Sequence, residues 1–307
     1  MTDATHNMEL DPKPAVPPNR RKSHGLSDAV SGWLLSMPLA LVLLFFLVLP
    51  IIMIVVVSFW GATEFSIYPA FQFDNYEFLL TSPVTYKVFF NTFKYAVITW
   101  AFTLAMGFTV AYFLAFHVRT LTWQIVLFLL CTIPFWTSNI IRMISWIPFL
   151  GRNGIANSSL ISMGLIDEPL DWLLYSDFSV ILAFVHLYTL FMVVPIFNTM
   201  MRIDKSLIEA AYDSGATGFQ TLTNVIIPLT KPGIVIGSIF VTTLVMGDFI
   251  TVRFMSGSQS ANVGRLISND IALLQYPSAA ATAVILLITV LLVIAILLRF
   301  VDIRKEL

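Results

Sequence analysis

Glu209-Ala210-Ala211-Tyr212-Asp213-Ser214-Gly215, with Val225-Ile226-Ile227-Pro228 beginning ten residues after Gly215, is the longest hydrophilic interruption in the second half of an otherwise apolar chain. Its spacing reads as two short helices rather than an unstructured loop. Ser206 stands three residues before Glu209, and Thr217 three before Gln220, each the spacing of a capping box. Gly215 falls between them, where a left-handed turn would reject a Cβ. Pro228 is expected to stop the second helix before Pro232-Gly233 opens the next apolar run. A capped helix-turn-helix held between apolar runs is a shape suited to docking.

The runs on either side are membrane spans by composition. Of 307 residues, 58% are hydrophobic and 11% charged, where soluble domains hold roughly 45–50% and about 25%. Mean hydropathy is +0.85. A net charge of −1 gives no bulk electrostatic reason to bind nucleic acid. The single cysteine, Cys131, excludes an intrachain disulfide and reads as a small buried hydrophobe. The four histidines are scattered without metal-ligand spacing, so no metal site is expected.

Six stretches reach the roughly 20 residues that cross a bilayer: Trp33–Phe59, Thr92–Phe116, Trp123–Phe149, Phe178–Met200, Pro232–Phe254 and Ala279–Phe300. Asn139 and Arg142 interrupt the third, which either continues to Phe149 or ends near Trp136 with a re-entrant or interfacial segment after it. Residues 1–32, rich in proline and carrying Arg20-Arg21-Lys22, read as a disordered cytoplasmic tail, retained rather than cleaved. Residues 33–307 form the membrane domain, with the docking turn at 203–231. With both termini inside, the cytoplasmic pieces hold Lys13, Arg20, Arg21, Lys22, Arg119, Arg202, Lys205, Lys231, Arg299, Arg304 and Lys305, 11 of the 17 basic residues. The loop after the third span is acidic instead, with Asp167, Glu168, Asp171 and Asp177. This bias puts the Glu209 turn in the cytoplasm.

Glu-Ala-Ala, three residues, Gly, nine residues, aliphatic-x-aliphatic-Pro resembles the EAA loop of ABC importer permeases. Glu209, Ala210, Ala211, Gly215 and Pro228 match, and Val225 and Ile227 replace the commoner Ile and Leu. The resemblance implies an all-α polytopic protein with six transmembrane helices and the type I importer permease fold. Its cytoplasmic coupling helix-turn-helix, between helices four and five, would sit in a groove of an ATP-binding subunit. Glu209, Ala210, Ala211, Asp213, Gly215 and Pro228 would form that contact. From the residues alone, Glu209 could equally cap its own helix, and Ala210 and Ala211 could simply pack. The implied partners are a second permease (another chain or a second copy), two ATP-binding subunits and an extracytoplasmic solute-binding protein, in a bacterial inner membrane. This chain has no Gly-rich phosphate loop, so ATP and Mg belong on the partner and no cofactor or catalysis is expected here.

Polar groups inside a membrane are costly and tend to face a cavity or a partner helix. The densest set is Pro134-Phe135-Trp136-Thr137-Ser138-Asn139-Ile140-Ile141-Arg142, followed by Trp146; Asp248 is the only acid within the expected spans. The first stretch, Phe73-Asp74-Asn75-Tyr76 and Met246-Gly247-Asp248-Phe249-Ile250 are similar to permeases of spermidine/putrescine importers. That likeness implies polyamine or related cargo, with Trp136, Ser138, Asn139, Arg142 and Asp248 along its path. A carboxylate with aromatic faces suits a multivalent cation. Asp248 could instead pair with Arg253 or bond across the partner interface, and the tryptophans could form an interfacial belt. Gly233 and Gly237 have the spacing of a close helix contact. Other importer cargoes (opines, amino acids, thiamine, ferric ion, sulfate) and an ion-coupled secondary transporter are the alternatives.

Overall fold

A computed structural model of the protein describes residues 36–63 and 66–299. The expected tail 1–32, together with Trp33 and Phe300 at the ends of the expected spans, lies outside the described residues. The chain divides into a unit ending at Ile52 and a second beginning at Met53. The first holds most of α1 (Ser36–Val57), a 22-residue helix with a mean hydropathy of 3.4. From Met37 to Val57 it carries no polar side chain, as a surface in contact with acyl chains requires.

In the second unit a two-residue hairpin, Gly61–Ala62 (β1) with Ile67–Tyr68 (β2), precedes the short helix α2 (Asp74–Thr81). The Phe-Asp-Asn-Tyr motif has a local role here. Asn75 Nδ2 donates to the carbonyls of Ser58 at 3.0 Å and Trp60 at 2.9 Å, and the Tyr76 and Ser58 hydroxyls are 2.6 Å apart. These bonds occupy carbonyls left free where α1 ends.

Helices α3 (Pro83–His117), α7 (Asp177–Met200), α9 (Gly218–Gly247) and α12 (Tyr276–Leu298) are, with α1, long and apolar enough to cross a membrane. A sixth span is counted if α4 (Leu121–Trp136) and the segment after it are taken together, but the chain turns by 86° between Leu121–Trp136 and Asn139–Ser162. The turn has a sequence cause. Pro134 brings a 3-10 turn at Ile133–Trp136, Thr137 and Ser138 are extended, and the Thr137 hydroxyl donates to the Pro134 carbonyl at 2.7 Å. The shorter alternative for the third span therefore describes the structure. Beyond the turn the chain forms α5 (Asn139–Leu150) and then α6 (Ile155–Ser162).

The core lies where α3, α7 and α9 pack together, with Tyr95, Phe184, Met192, Ile196, Val241 and Val245 buried. Glycines permit this closeness. A Cβ on Gly233 would stand 2.5 Å from the Pro195 carbonyl oxygen, one on Gly237 2.7 Å from Met192 Sδ, and one on Gly107 2.8 Å from Met192 Cγ. The expected Gly233/Gly237 contact is present.

Three expected boundaries change. Pro228 does not stop a helix: α9 runs unbroken for 30 residues from Gly218, so the second helix of the expected pair is the first part of span five. Proline in a helix clashes with the carbonyl four residues back. That carbonyl, of Asn224, lies in a π-helical turn at Leu222–Ile226, where the Ile227 N–H reaches back to Leu222. The widened turn admits the ring. At its other end span five stops at Gly247 rather than Phe254, and a separate helix α10 (Ile250–Met255) comes next, then α11 (Val263–Ala272). Span two is also longer than expected, starting at Pro83 rather than Thr92.

Candidate functional site

Three places carry polar chemistry: the turn between α7 and α9, the bend between α4 and α5, and the break after α9. The turn is built by local bonds. Helix α8 (Lys205–Asp213) starts at Asp204, whose carboxylate accepts the Ser206 N–H at 3.0 Å. That backbone N–H holds the Asp204 carboxyl below the usual carboxylate range. The expected Ser206–Glu209 capping box is absent because the helix begins two residues earlier, with Asp204 as its cap. At the other end the Gly215 N–H donates to Tyr212 at 2.9 Å and the Ala216 N–H to Ala211 at 3.0 Å, the two bonds of a Schellman motif. Gly215 has φ +83°, the conformation that motif demands. Thr217 and Gln220 form the expected capping box at the start of α9.

Local capping leaves Glu209 uncommitted. It is exposed and has no hydrogen bond or ion pair among the described residues. Ala210, Asp213 and Pro228 are exposed, and Ala211 is half-buried. Leu207, Tyr212 and Phe219 face outward, Phe219 being 74% exposed. Beneath them Ile203, Ile208 and Leu222 pack on the bundle core. The turn is thus anchored on one face and offers a mixed acidic and apolar surface on the other.

At the bend, Arg142 Nη2 donates to Asn139 Oδ1 at 2.6 Å and to the Thr137 carbonyl at 3.3 Å, folding its guanidinium over the break. Its Nε is buried and unpartnered, and no carboxylate pairs with it among the described residues. Arg142 and His186 line two neighbouring cavities. One is about 190 Å³ with Cys131 and Phe135 in its wall, the other about 270 Å³ with Ser145 and Trp146. Trp146 Nε1 donates to His186 Nδ1 at 3.0 Å, so His186 is both satisfied and part of a wall. Trp136, 83% exposed, lines a different, apolar recess with Phe191 and Phe240. Ser138 precedes α5 and its carbonyl accepts the Arg142 N–H at 3.1 Å, but its side chain makes no capping bond to the helix.

Asp248 stands in the break rather than inside a span. Its carboxylate accepts the Tyr188 hydroxyl at 2.7 Å, the Thr251 hydroxyl at 2.6 Å and the Thr251 N–H at 3.0 Å. Its backbone carbonyl accepts Asn262 Nδ2 at 2.7 Å. Tyr188 and Thr251, not Arg253, are its partners. The carboxylate is therefore a knot joining α7 to α10, and it does not border the Arg142 cavities. Of the expected path residues, the structure brings Asn139 and Arg142 into contact, with Ser138 beside them; Trp136 and Asp248 stand apart.

The knot yields a prediction. Asp248→Ala strips three donors of their acceptor, at about 1–3 kcal/mol for each group left buried and unpaired, and should lower the melting temperature of the detergent-solubilised protein. In Asp248→Asn the amide oxygen still accepts, and the two hydroxyls can reverse their bonds, so stability should be near normal. A role of the charge in transport would then show as lost uptake without lost stability. Unchanged uptake in Asp248→Asn would leave the residue structural.

No protein-family model matches the chain. The spermidine/putrescine transport system permease protein PotB of Salmonella typhimurium (strain SL1344) is 34% identical over 256 residues, 83% of this chain and 88% of that protein. The chain belongs to the PotB family of transport permeases. The permease is likewise 34% identical to PotB of Escherichia coli (strain K12) over 248 residues, 80% of this chain and 89% of that protein. A solved structure of the bacterial alginate ABC transporter, in complex with an alginate pentasaccharide-bound periplasmic protein, contains a chain that superposes with a TM-score of 0.72. That match covers 92% of the permease and 99% of the solved chain at 17% identity, a likeness of fold. The permease is a multi-pass membrane protein with the architecture of an ABC-transporter permease, as Glu209–Pro228 led us to expect.

Tyr188 and Thr251 are site residues that the sequence did not single out, whereas His186, expected as a satisfied residue within a span, does accept the Trp146 N–H. Thr251 had a signal, since an acid three residues before a threonine after a helix-ending glycine spells an N-cap. Tyr188 had none, because its partner lies 60 residues away.

Proposed function

We propose that this permease is the membrane-spanning subunit of an ATP-driven importer of polyamines, in the class of spermidine and putrescine. The observation that carries the coupling half is the turn around α8: a rigidly capped helix, anchored by Ile203, Ile208 and Leu222, with Glu209 and Leu207, Tyr212 and Phe219 uncommitted. Such a surface suits a groove on an ATP-binding subunit. Glu209 would supply the charge, Ala210 and Ala211 the close approach, Asp213 a second acid at the rim, and Gly215 the turn that sets the helix angle. Pro228, beside the π-helical turn, would mark where the push enters span five. Because α8 is tied by short connections to α7 and α9, its displacement moves spans four and five together. Closure of two ATP-binding subunits would turn the path outward, and hydrolysis would reset it.

The relatives' names support polyamine as cargo. The working assembly would add a second permease, identical or not, two ATP-binding subunits holding ATP and Mg, and an extracytoplasmic solute-binding protein. It would lie in the bacterial inner membrane with both termini and the α8 turn in the cytoplasm. Residues 1–32 would be a tail and 33–307 the permease domain. This chain would carry no catalysis and no cofactor. Ser138, Asn139 and Arg142 would line the path at the bend, with Trp136 and Asp248 flanking it. Arg142, which pairs with no carboxylate among the described residues, favours a second reading within the importer class, a cargo bearing an acid as well as an amine.

Purification through this subunit, with ATPase measured in the presence of binding protein, tests both. Co-purifying ATPase stimulated by spermidine or putrescine is the expected result. Stimulation by an amino acid and not by a polyamine would favour the second reading. Absence of any ATPase, with uptake driven by an ion gradient, would overturn the importer class.

A further inference from the structure

Far from the α8 turn, at the opposite end of span four, Asp177 opens α7 and gathers groups from three segments. Lys94 Nζ on α3 lies 2.6 Å from Asp177 Oδ2. The Tyr95 hydroxyl donates to Asp177 Oδ1 and is 2.6 Å from Ser260 Oγ. With its proton committed to Asp177, Tyr95 accepts the proton of Ser260. Lys94 Nζ also lies 5.2 Å from the centre of the Tyr95 ring. Tyr95 is fully buried, and the loop carrying Ser260 is held by bonds from Ser256 and, through Ser256 and Ser258, from Arg265.

This is the chemistry of an ammonium receptor: one carboxylate oxygen, an aromatic ring within cation–π range, and a hydroxyl network that fixes both. Its occupant is Lys94, itself a primary ammonium on a four-carbon stem. We propose that Asp177, Tyr95 and Ser260 form a binding site for a primary alkylammonium, with Lys94 as a tethered stand-in that an incoming amine displaces. The assignment of that amine to the transported solute rests on the polyamine reading above.

Exposure makes exchange feasible. The Asp177 side chain is 44% exposed and that of Lys94 29%, so water and solute reach the pair from one side. An ion pair this open is weak and easily broken. The remaining anchors are Tyr95, buried in the bundle, and Ser260, on a loop held by Ser256 and Arg265, and neither depends on Lys94 for its position. Among the described residues Asp177 is the only carboxylate paired with Lys94, so its release adds a positive charge at the mouth as the solute's charge is taken up. The carboxylate keeps one ammonium throughout, and the repulsion from the displaced Lys94 is screened by the solvent that reaches the pair.

A tethered competitor masks its site with an effective concentration on the order of millimolar. Removing it should therefore tighten binding, which a merely structural ion pair would not do. The test uses the full-length permease in lipid nanodiscs with whatever subunits co-purify. It carries Cys131→Ser and a reporter thiol from Gln259→Cys, an exposed position next to Ser260. The measured quantity is the rate of alkylation by uncharged N-ethylmaleimide against putrescine concentration, with tetramethylammonium as the ionic control.

Putrescine should slow alkylation and tetramethylammonium should not. In Lys94→Met, which keeps the length and loses the charge, half-protection should need roughly tenfold less putrescine; Lys94→Gln gives the same reading should the methionine variant fold poorly. Asp177→Asn should abolish protection. No protection in any variant, or a half-protecting concentration that stays level or rises without Lys94, would overturn the site and leave the ion pair a clasp. Radiolabelled putrescine uptake is scored separately. Uptake without protection removes this site but keeps the cargo, whereas protection without uptake keeps the site and removes the cargo.

Discussion

Gly215→Val leaves the permease inserted in the membrane at near-normal amounts and cuts solute-stimulated ATPase and uptake at least tenfold. The expectation rests on the two halves of the glycine's environment. Its backbone sits at φ +83°, and a Cβ built there would meet no atom within 4 Å. There is space for a side chain but no tolerance for the conformation. A non-glycine residue in the left-handed region costs roughly 1–2 kcal/mol, more when branched at Cβ. Nothing in the membrane core senses that cost, so the bundle still packs. The turn relieves it by abandoning the Schellman bonds from Gly215 to Tyr212 and from Ala216 to Ala211. Those bonds set the angle at which α8 leaves α9, so Glu209 and Phe219 lose their alignment while the spans keep theirs. Gly215→Asn is the control, because asparagine visits the left-handed region readily, and it should retain most activity. Full solute-stimulated ATPase in the valine variant would remove α8 as the coupling element.

The contrast between legible and illegible features reflects the range of the forces that make them. The Thr217–Gln220 box, the left-handed Gly215 and the Gly233/Gly237 contact were readable, since each is decided within four or five residues. The polar interruption at Asn139 and Arg142 was visible too, yet its 86° turn depends on Pro134, Thr137 and Ser138 acting together. Pro228 misled for a related reason. A lone proline ends a helix unless the preceding turn is widened, and nothing in Leu222–Ile226 announces a π-helical turn. Hydropathy also hides interruptions: Pro232–Phe254 is apolar enough around Asp248 that the expected span runs past Gly247 and takes the acid inside it. Its partners, Tyr188 and Asn262, are fixed only by the packing of α7 and α11. The box around Asp177 lies wholly beyond local reading, for Lys94 and Ser260 come to it from 83 residues on either side.

Gly233→Ala should do what Gly215→Val does not, and prevent the bundle from forming. Here the backbone is ordinary helix and the obstacle is space. The added methyl carbon would lie 2.5 Å from the Pro195 carbonyl oxygen, 2.5 Å from Thr199 Oγ1 and 3.0 Å from Ile196 Cα. Two of those three are backbone atoms of α7, so no rotamer change clears the way. The contact also cannot open gradually, because Thr199 Oγ1 is bonded back to the Pro195 carbonyl at 2.8 Å and holds that oxygen toward α9. Overpacking a tight site costs about 1–3 kcal/mol when side chains can yield; a backbone that cannot yield puts this change at the upper end or beyond. Helix association in a membrane relies on close packing and lacks a strong hydrophobic drive, so that cost falls directly on the α7–α9 pairing. The measurements are the folded fraction recovered after detergent extraction and its melting temperature, both expected to drop sharply. Gly247→Ala, where a Cβ meets nothing within 4 Å, serves as the matched change at the other end of the same helix and should be tolerated. A normally stable Gly233→Ala protein would mean that α7 and α9 do not approach as closely as Gly233 and Gly237 allow. The proposed transmission path from the α8 turn into spans four and five would then have to run elsewhere, since it relies on this contact to move the two spans as one body.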